Sequence, residues 1–204
     1  MHIIPDSVPA KDIYRLLIST VTPRPIAWVS TVDKRGQVNL APFSYFNIVS
    51  VNPPVLGFSP LLGQTGQPKD TLNNIRETKE FVVNIVSHGQ VRAMNQTSAV
   101  YGPDINEMAE VGLTAMPSSA VAAPSVKEAL VHYECKLHDV ISFGDEPLAG
   151  NLVLGRVCHI HLDDEVFQNN RVNVSLLDTI GRMEGNYYAT CRDRFAVERP
   201  APPE

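Results

Sequence analysis

The apolar segments of this chain are short, and turn-forming residues separate them. Sixteen prolines are distributed through 204 residues. Proline interrupts helices and central strands because it lacks an amide hydrogen and fixes its own φ. The sequence therefore argues against a bundle of long helices. No apolar run approaches the ~20 residues that cross a bilayer as a helix, so we expect no membrane segment.

Most of the periodic apolar segments predict strands, and the rest have helical spacing. The predicted strands are 26–32, 37–41, 55–59, 81–86, 130–143 and 150–162. The predicted helices are 11–20, 69–77, 90–97 and 105–111. Neighbouring strands joined by short turns indicate an antiparallel barrel with attached helices, rather than a doubly wound α/β sheet.

Two strands carry additional information about burial. Residues 81–86 are nearly all apolar, which predicts a central strand. In 130–143, apolar and polar residues alternate, as in a strand with one exposed face. The alternating residues are Val131, Tyr133 and Cys135 against His132, Glu134 and Lys136.

Composition sets the class of protein. A hydrophobic fraction of 44% and a charged fraction of 19% predict a globular chain, which we treat as one domain over residues 1–204. The proline-rich end, 198–204, is expected to be irregular. A net charge of −5 argues against a nucleic-acid partner. Three unpaired cysteines and the absence of a secretory pattern predict a cytoplasmic location.

Motifs for catalysis by side chains are missing from the sequence. It contains no GxGxxG, no GxxxxGK[ST] and no GxSxG. The consecutive acids Asp163, Asp164 and Glu165 follow a predicted strand and are typical of a solvated turn. We therefore predict no catalytic side chain.

Histidine and cysteine cluster in two places, 132–138 and 158–161. Alternation along a strand places His132 and His138 on one face and Cys135 on the other. It also separates Cys158 from His159 and His161. This parity does not assemble a tetrahedral ligand set, so we predict no metal site.

A possible anion site lies at the start of the predicted helix 69–77. Lys69 precedes the helix, Asp70 is placed to cap it, and Thr71 offers a hydroxyl. Unpaired N–H groups at a helix start favour an anion, so these residues suggest a clasp for a phosphate-bearing planar ligand. The alternative is an ordinary capped helix.

Several segments, in their order and spacing, closely resemble the flavin reductase-like, FMN-binding split-barrel family, with its flavoredoxin-type branch nearest. The resemblance covers about residues 10–190. The segments are Arg24–Thr31, Gly36, Asn39–Ser44, Asn52–Val55, Lys69–Thr71, Phe81–Val86, Gly112–Thr114, Cys135 and Arg182–Tyr187.

The resemblance implies a mainly β (α+β) fold, a six-stranded antiparallel Greek-key split barrel with short peripheral helices. It also implies a homodimer with FMN near the subunit interface. Isoalloxazine contacts are implied for Trp28, Val29, Ser30, Thr31, Ala41, Pro42, Phe43 and Ser44. Phosphate contacts are implied for Ser59, Lys69, Asp70 and Thr71.

Alternative interpretations remain open for individual residues. Trp28 is either a ring contact or a core residue, and Ser44 either bonds the ring edge or satisfies the backbone. Arg182 either contacts flavin or forms a surface or intersubunit ion pair. The flavin contact is open because Glu184 stands where relatives often have glycine, so the segment departs from the family pattern.

Two functions follow from the resemblance. The first is an NAD(P)H-dependent flavin reductase that supplies reduced FMN to a monooxygenase or another electron acceptor. The second is a non-enzymatic FMN electron carrier. A flavin performs the hydride and electron transfer itself, which agrees with the lack of a side-chain catalyst. Arg24, Arg182 and Arg192 are candidates for contacting the 2′-phosphate that distinguishes NADPH from NADH.

Overall fold

The structure is a computed structural model that describes residues 2–200. Its helices are α1 (Ala10–Thr20), α2 (Asp70–Thr78), α3 (Val91–Gln96), α4 (Glu107–Glu110) and α5 (Val174–Leu177), with short 3-10 turns at Pro5–Ser7 and His88–Gln90. Residues 198–200 have no regular structure, and the rest of the predicted irregular end lies outside the described residues. None of these helices is long and apolar enough to cross a membrane.

Thirteen strands are assigned among the described residues, and seven of them form the main sheet. The main-sheet strands are β1 (Ala27–Val32), β2 (Val38–Phe43), β3 (Phe46–Val51), β4 (Pro54–Phe58), β5 (Glu80–Ile85), β8 (Val131–Ser142) and β9 (Asn151–Leu162). The short ones are β6 (Ala115–Met116), β7 (Ser125–Val126), β10 (Phe167–Gln168), β11 (Arg171–Val172), β12 (Ile180–Arg182) and β13 (Tyr188–Thr190).

The main sheet is antiparallel throughout, in the order β2-β1-β5-β8-β9-β4-β3. Its two edge strands, β2 and β3, are consecutive in the chain and are separated only by Ser44 and Tyr45. Three Cα steps of 3.80 Å bring those edges within about 11 Å of each other at this corner. The sheet must therefore curl into an open barrel.

The mainly β, antiparallel prediction is confirmed, but the predicted count of six strands is wrong for the main sheet. The additional edge strand is β3, whose residues do not alternate between apolar and polar types. Its aliphatic residues Ile48, Val49 and Val51 are all exposed. A bulge between Ile48 and Ser50 interrupts its pairing with β4.

Strand β1 separates two hydrophobic cores because both of its faces are buried. Val29 points into the barrel, where Phe43 and Phe58 form a tilted ring contact and Phe58 and Phe81 an edge-to-face one. Trp28 points outward into a second core beneath α3 and α4, with Met94 and Met108.

The half-exposed prediction for β8 is confirmed at Lys136, which is exposed, and is wrong at His132 and Glu134. Those two residues are buried, because residues 118–126 cross over that part of the polar face of the strand. The amides of Ser119 and Ala120 donate to the Glu134 carboxylate at 2.8 and 2.5 Å. The Val126 carbonyl lies 2.8 Å from His132 Nε2.

Candidate functional site

An elongated cleft runs along the outer end of β2 and consists of two adjoining compartments. Pro42 and Ser98 line both of them. The smaller compartment, about 250 Å³, lies at the start of α2, and the larger, about 660 Å³, lies between α1 and the β12–β13 hairpin. A ligand that occupied both would extend from Lys69 to Arg24.

Lys69 lies at the small end of the cleft. Its Nζ is 5.7 Å from the centroid of the Phe43 ring, and it has no carboxylate partner among the described residues. Desolvation lowers the pKa of the Lys69 amine, although the residue as a whole remains exposed. An unpaired cation in this position is suited to an anionic ligand.

The first turn of α2 provides further donors beside Lys69. Leu72 and Asn73 donate their amides to the Lys69 carbonyl, whereas the amides of Asp70 and Thr71 have no acceptor in residues 2–200. Thr71 is buried, and its Oγ1 accepts a hydrogen bond from Asn39 Nδ2 at 2.9 Å. That bond leaves the Thr71 hydroxyl proton free to donate.

The sequence-based assignment of the helix cap needs correction. Lys69 occupies the N-cap position and makes no side-chain cap, while Asp70 is the first helical residue. The predicted inward positions Leu72 and Ile75 are confirmed, because both are buried. The missing cap bond leaves the helix start open toward the cleft.

A buried acid, Glu107, also lines the small compartment. Its Oε2 accepts the Leu40 amide at 2.9 Å, which attaches α4 to β2. Burial raises the pKa of Glu107, with the Leu40 hydrogen bond acting in the opposite direction. Glu107 therefore takes up a proton at a higher pH than a free carboxyl group, and its protonated form does not repel an anion.

Arg24 lies at the large end of the cleft, and only 7% of its surface is exposed. Its Nη1 donates to the carbonyls of Ile18 and Val21, both at 2.8 Å. Its Nη2 donates to the Met183 carbonyl at 3.0 Å, and its Nε lies 3.4 Å from Ser44 Oγ. One guanidinium therefore connects the end of α1, the end of β2 and the loop after β12.

Arg182 lies at the rim of the same compartment. Its guanidinium carbon is 4.6 Å from the centroid of the Tyr188 ring, and its Nη2 donates to the Gly185 carbonyl. The backbones of Arg24 and Arg182 bond each other in both directions, at 2.8 and 3.0 Å. Arg182 forms no ion pair within the described part of the chain.

Half of the twelve residues implied by the resemblance line the cleft, and the other half do not. The cleft is lined by Ala41, Pro42, Ser44, Lys69, Asp70 and Thr71. The four β1 residues lie away from it and have no exposed surface: Trp28, Val29, Ser30 and Thr31. Phe43 faces the barrel core, within reach of Lys69. Ser59 lies beyond β4 beside Gly150 and does not line the cleft.

Internal hydrogen bonds explain why the β1 side chains turn away. Trp28 Nε1 donates to Thr97 Oγ1 at 2.9 Å, which corresponds to the core interpretation of this residue. Ser30 Oγ donates to the Pro124 carbonyl, and Thr31 Oγ1 accepts from Asn74 Nδ2 at 3.0 Å. Each of these polar atoms is satisfied within the chain.

The histidine and cysteine clusters form cross-strand pairs. His132 lies opposite His161, with their Nδ1 atoms 3.2 Å apart, and Glu134 lies opposite His159. Burial lowers the pKa of His132, whose Nε2 donates to the Val126 carbonyl, so His161 must donate between the two rings. Among residues 2–200, no group of three or more His, Cys, Asp or Glu side chains converges as metal ligands would.

Sequence reasoning missed several residues that line the cleft: Tyr14, Ser98, Tyr101, Glu107 and Met183. Most lie in segments predicted only as short helices or left unassigned. The one available signal was the position of Met183 next to Arg182 in the matching segments. The others reach the cleft through contacts that are distant in sequence.

The curled antiparallel sheet carries at one edge an elongated cleft, with Lys69 lining its smaller compartment and Arg24 its larger one. The family model described as "Flavin reductase like domain" matches residues 19–185, and the chain belongs to that family. This confirms the family resemblance found in the sequence.

Solved structures agree with this assignment. Nitrilotriacetate monooxygenase component B from Bacillus cereus has a TM-score of 0.91 at 38% identity, covering 97% of this chain and 98% of that one. The 2-nitrobenzoate 2-nitroreductase of Pseudomonas fluorescens has a TM-score of 0.88 at 30% identity, covering 98% and 96%. Flavoredoxin of Desulfovibrio vulgaris shares the fold, with a TM-score of 0.75 at 21% identity, covering 87% and 91%.

Proposed function

We propose that this chain binds FMN in the two-compartment cleft and acts as an NAD(P)H-dependent flavin reductase. The observation that carries the proposal is the cleft itself, which joins an open, lysine-flanked helix start to a wider compartment walled by Pro42, Ile26 and Met94. An elongated ligand with a phosphate at one end and a planar ring at the other matches that division.

The smaller compartment fits the phosphate. Lys69 offers an ammonium with no carboxylate partner, the amides of Asp70 and Thr71 offer two unused N–H groups, and Thr71 adds a hydroxyl. Charge-assisted bonds to a phosphate are among the stronger hydrogen bonds in proteins. These groups orient the ligand, because they bind a charged phosphate more strongly than they would bind a neutral ring.

The larger compartment fits the ring. Pro42 and Ile26 offer apolar surface, while Ser44 and Arg24 offer donors at one end. When bound, FMN supplies the redox chemistry by accepting two electrons and a proton from a nicotinamide. The protein residues hold the ring, shield part of it from water and leave a face open to the second substrate.

The open side of the cleft leaves access for that second substrate. Tyr14, Arg15 and Ser19 of α1 form one rim, and no residue of α1 is buried. Hydride transfer needs the nicotinamide within about 3–3.5 Å of the ring, so one ring face has to remain accessible. No acid, base or nucleophile of the chain is needed for this step.

The homodimer and the electron acceptor are part of the same proposal. Ile48, Val51 and Ile160 are exposed around an apolar groove of about 450 Å³, which is lined by residues of β3, β4, β5, β8 and β9. A contiguous exposed apolar surface is typical of an interface, and we assign it to a second copy. The name of the Bacillus cereus protein relates it to a monooxygenase, and we propose a monooxygenase or another electron acceptor as the recipient of reduced FMN.

Anaerobic reduction tests the proposal directly. The purified protein is loaded with FMN, and stopped-flow absorbance follows bleaching after NADH or NADPH is added without oxygen. Rapid bleaching with either nucleotide supports the reductase. If neither nucleotide bleaches bound FMN while dithionite does, the electron-carrier function replaces it, and failure to bind FMN overturns both.

Sedimentation of the same sample tests the dimer. We expect the FMN-loaded protein to sediment as a dimer at micromolar concentration, and Val51→Asp to shift it toward the monomer. An FMN-loaded monomer of the unmodified protein would contradict the proposed interface.

A further inference from the structure

Arg24 combines burial with incomplete pairing. A guanidinium has five N–H donors, and four hydrogen bonds are present, to Ile18, Val21, Ser44 and Met183. Three of the acceptors are neutral carbonyls and the fourth is a hydroxyl. The remaining N–H, on Nη2, has no acceptor in residues 2–200.

No acid within the described residues neutralises this charge. Arg24 forms no ion pair there, and the single acidic residue that lines the larger compartment is Glu184. Glu184 is exposed, so water screens its charge. Arg15 at the rim is also exposed and pairs with Asp12 at 3.3 Å. Arg24 is therefore the buried positive charge of the ring compartment.

Burying a cation without a counterion is costly, and four neutral acceptors compensate only in part. Those same bonds fix the guanidinium against the cleft wall, so it cannot move out into water. Folding thus places a fixed positive charge where negative charge on a ligand would be stabilised without further reorganisation.

We propose that Arg24 selectively stabilises reduced FMN and so raises the reduction potential of the bound flavin. The inference rests on the proposed function, because that function places the ring at this end of the cleft. Lys69 at the opposite end fixes the orientation of the ligand by holding the phosphate.

The electron balance explains the selectivity. Transfer of a hydride moves two electrons and one proton from the nicotinamide, which becomes positively charged as its C–H bond breaks. The flavin ring thereby gains one negative charge until it takes up a second proton from solvent. A fixed cation attracts that added charge, whereas it gains little from the neutral oxidised ring.

The experiment compares the affinities of oxidised and reduced FMN for the protein. Reduced FMN is prepared with dithionite, and both dissociation constants are measured anaerobically for the unmodified protein and for Arg24→Gln and Arg24→Lys. For Arg24→Gln we expect the affinity for reduced FMN to fall roughly tenfold more than that for oxidised FMN. A tenfold difference between these two losses of affinity corresponds to a decrease of about 30 mV in the two-electron midpoint potential of the bound flavin.

Two comparisons separate charge from structure. Arg24→Lys keeps the charge, so the ratio of the dissociation constants for oxidised and reduced FMN should stay within about threefold of that of the unmodified protein. Arg15→Gln removes an exposed charge from the same compartment and should also change it by less than about threefold. If Arg24→Gln weakens both redox forms equally, Arg24 is a structural residue and the proposal is wrong.

The unmodified protein supplies a test that needs no variant. It should bind reduced FMN more tightly than oxidised FMN, even if Arg24→Gln does not fold. The opposite order would overturn the role of Arg24 while leaving FMN binding intact. Failure to bind either form would instead overturn the proposed function.

Discussion

The two cations at the ends of the cleft carry the same charge but differ in how the protein uses them. Lys69 is exposed as a residue and has neither an ion-pair partner nor a side-chain cap bond in the described chain. Arg24 is buried, and four hydrogen bonds attach it to three separate segments. Lys69 keeps its donors free for a ligand, whereas Arg24 uses four of its five donors to connect the fold and acts on a ligand through its fixed charge. Loss of Lys69 should therefore affect mainly FMN binding, and loss of Arg24 should affect stability as well.

The largest expected difference is in stability without ligand. Arg24→Ala leaves the carbonyls of Ile18, Val21 and Met183 without their donor, so we expect the free energy of unfolding to fall by about 2–4 kcal/mol. Lys69→Ala removes no hydrogen bond or ion pair within the described protein, only the 5.7 Å approach to the Phe43 ring, and should change it by less than about 1 kcal/mol. Urea denaturation without FMN measures both. Equal losses would show that Lys69 also has a structural role.

The next effect concerns binding of the phosphate. Lys69→Ala should weaken FMN binding by about 1.5–3 kcal/mol, since it removes a charge-assisted contact. That loss is roughly ten- to a hundredfold in Kd. Riboflavin lacks the phosphate, and its affinity should be unchanged by the same mutation. If riboflavin binds the unmodified protein as tightly as FMN does, the phosphate end of the cleft is assigned wrongly.

The contrast between the two ends also shows what the sequence was able to predict. Strands β8 and β9 were located within about one residue at each end, because a long alternating pattern and the turn at Gly144–Pro147 are local signals. The Lys69–Thr71 segment was found for the same reason, since its chemistry lies in consecutive residues. The local signal did not distinguish Lys69 from Asp70 as the cap residue.

The burial and hydrogen bonding of Arg24 could not be predicted from the sequence, because one of its acceptors lies 159 residues away along the chain. The β1 residues show the same limit. A strand between β2 and β5 is buried on both faces, and strand order depends on pairing across the whole chain. Strand β3 was missed because its apolar residues lack the alternation of a half-buried strand.

A smaller effect should appear in the pH dependence of binding. Desolvation lowers the pKa of Lys69 below the ordinary value of 10.5, so the amine loses its proton at a lower pH than a free lysine. FMN affinity should then decrease as the pH rises toward 10, by no more than the loss caused by Lys69→Ala, because the protonated amine attracts the phosphate and the neutral amine does not.

Lys69→Arg is the matched control for that titration. Arginine stays protonated over this range, so the variant should lose the part of the pH dependence that belongs to Lys69. Any ionisation of FMN itself affects both proteins equally and cancels in the ratio of their Kd values. Identical pH profiles for the two proteins would assign the titration to another group.

The smallest effect distinguishes Arg182, at the rim of the Arg24 compartment, from Arg192. Arg192 is bound to Asp178 by two hydrogen bonds, at 2.7 and 2.8 Å, and does not line the cleft. Arg182 stacks on Tyr188 and has no carboxylate partner in residues 2–200, so it is placed to meet a phosphate of the incoming nucleotide.

Arg182→Ala should raise the KM for the preferred nucleotide roughly three- to fivefold, because exposed charge contacts are weak. The kcat should change little, as expected when a contact is made equally in the ground and transition states. Arg192→Ala should leave KM within about twofold, since its charge already pairs with Asp178. Steady-state rates with NADH and NADPH measure both variants, and a larger effect on NADPH alone would assign Arg182 to the 2′-phosphate. Equal KM values for Arg182→Ala and the unmodified protein would remove Arg182 from nucleotide binding and leave Arg24 and Lys69 as the cations that contact ligands in this cleft.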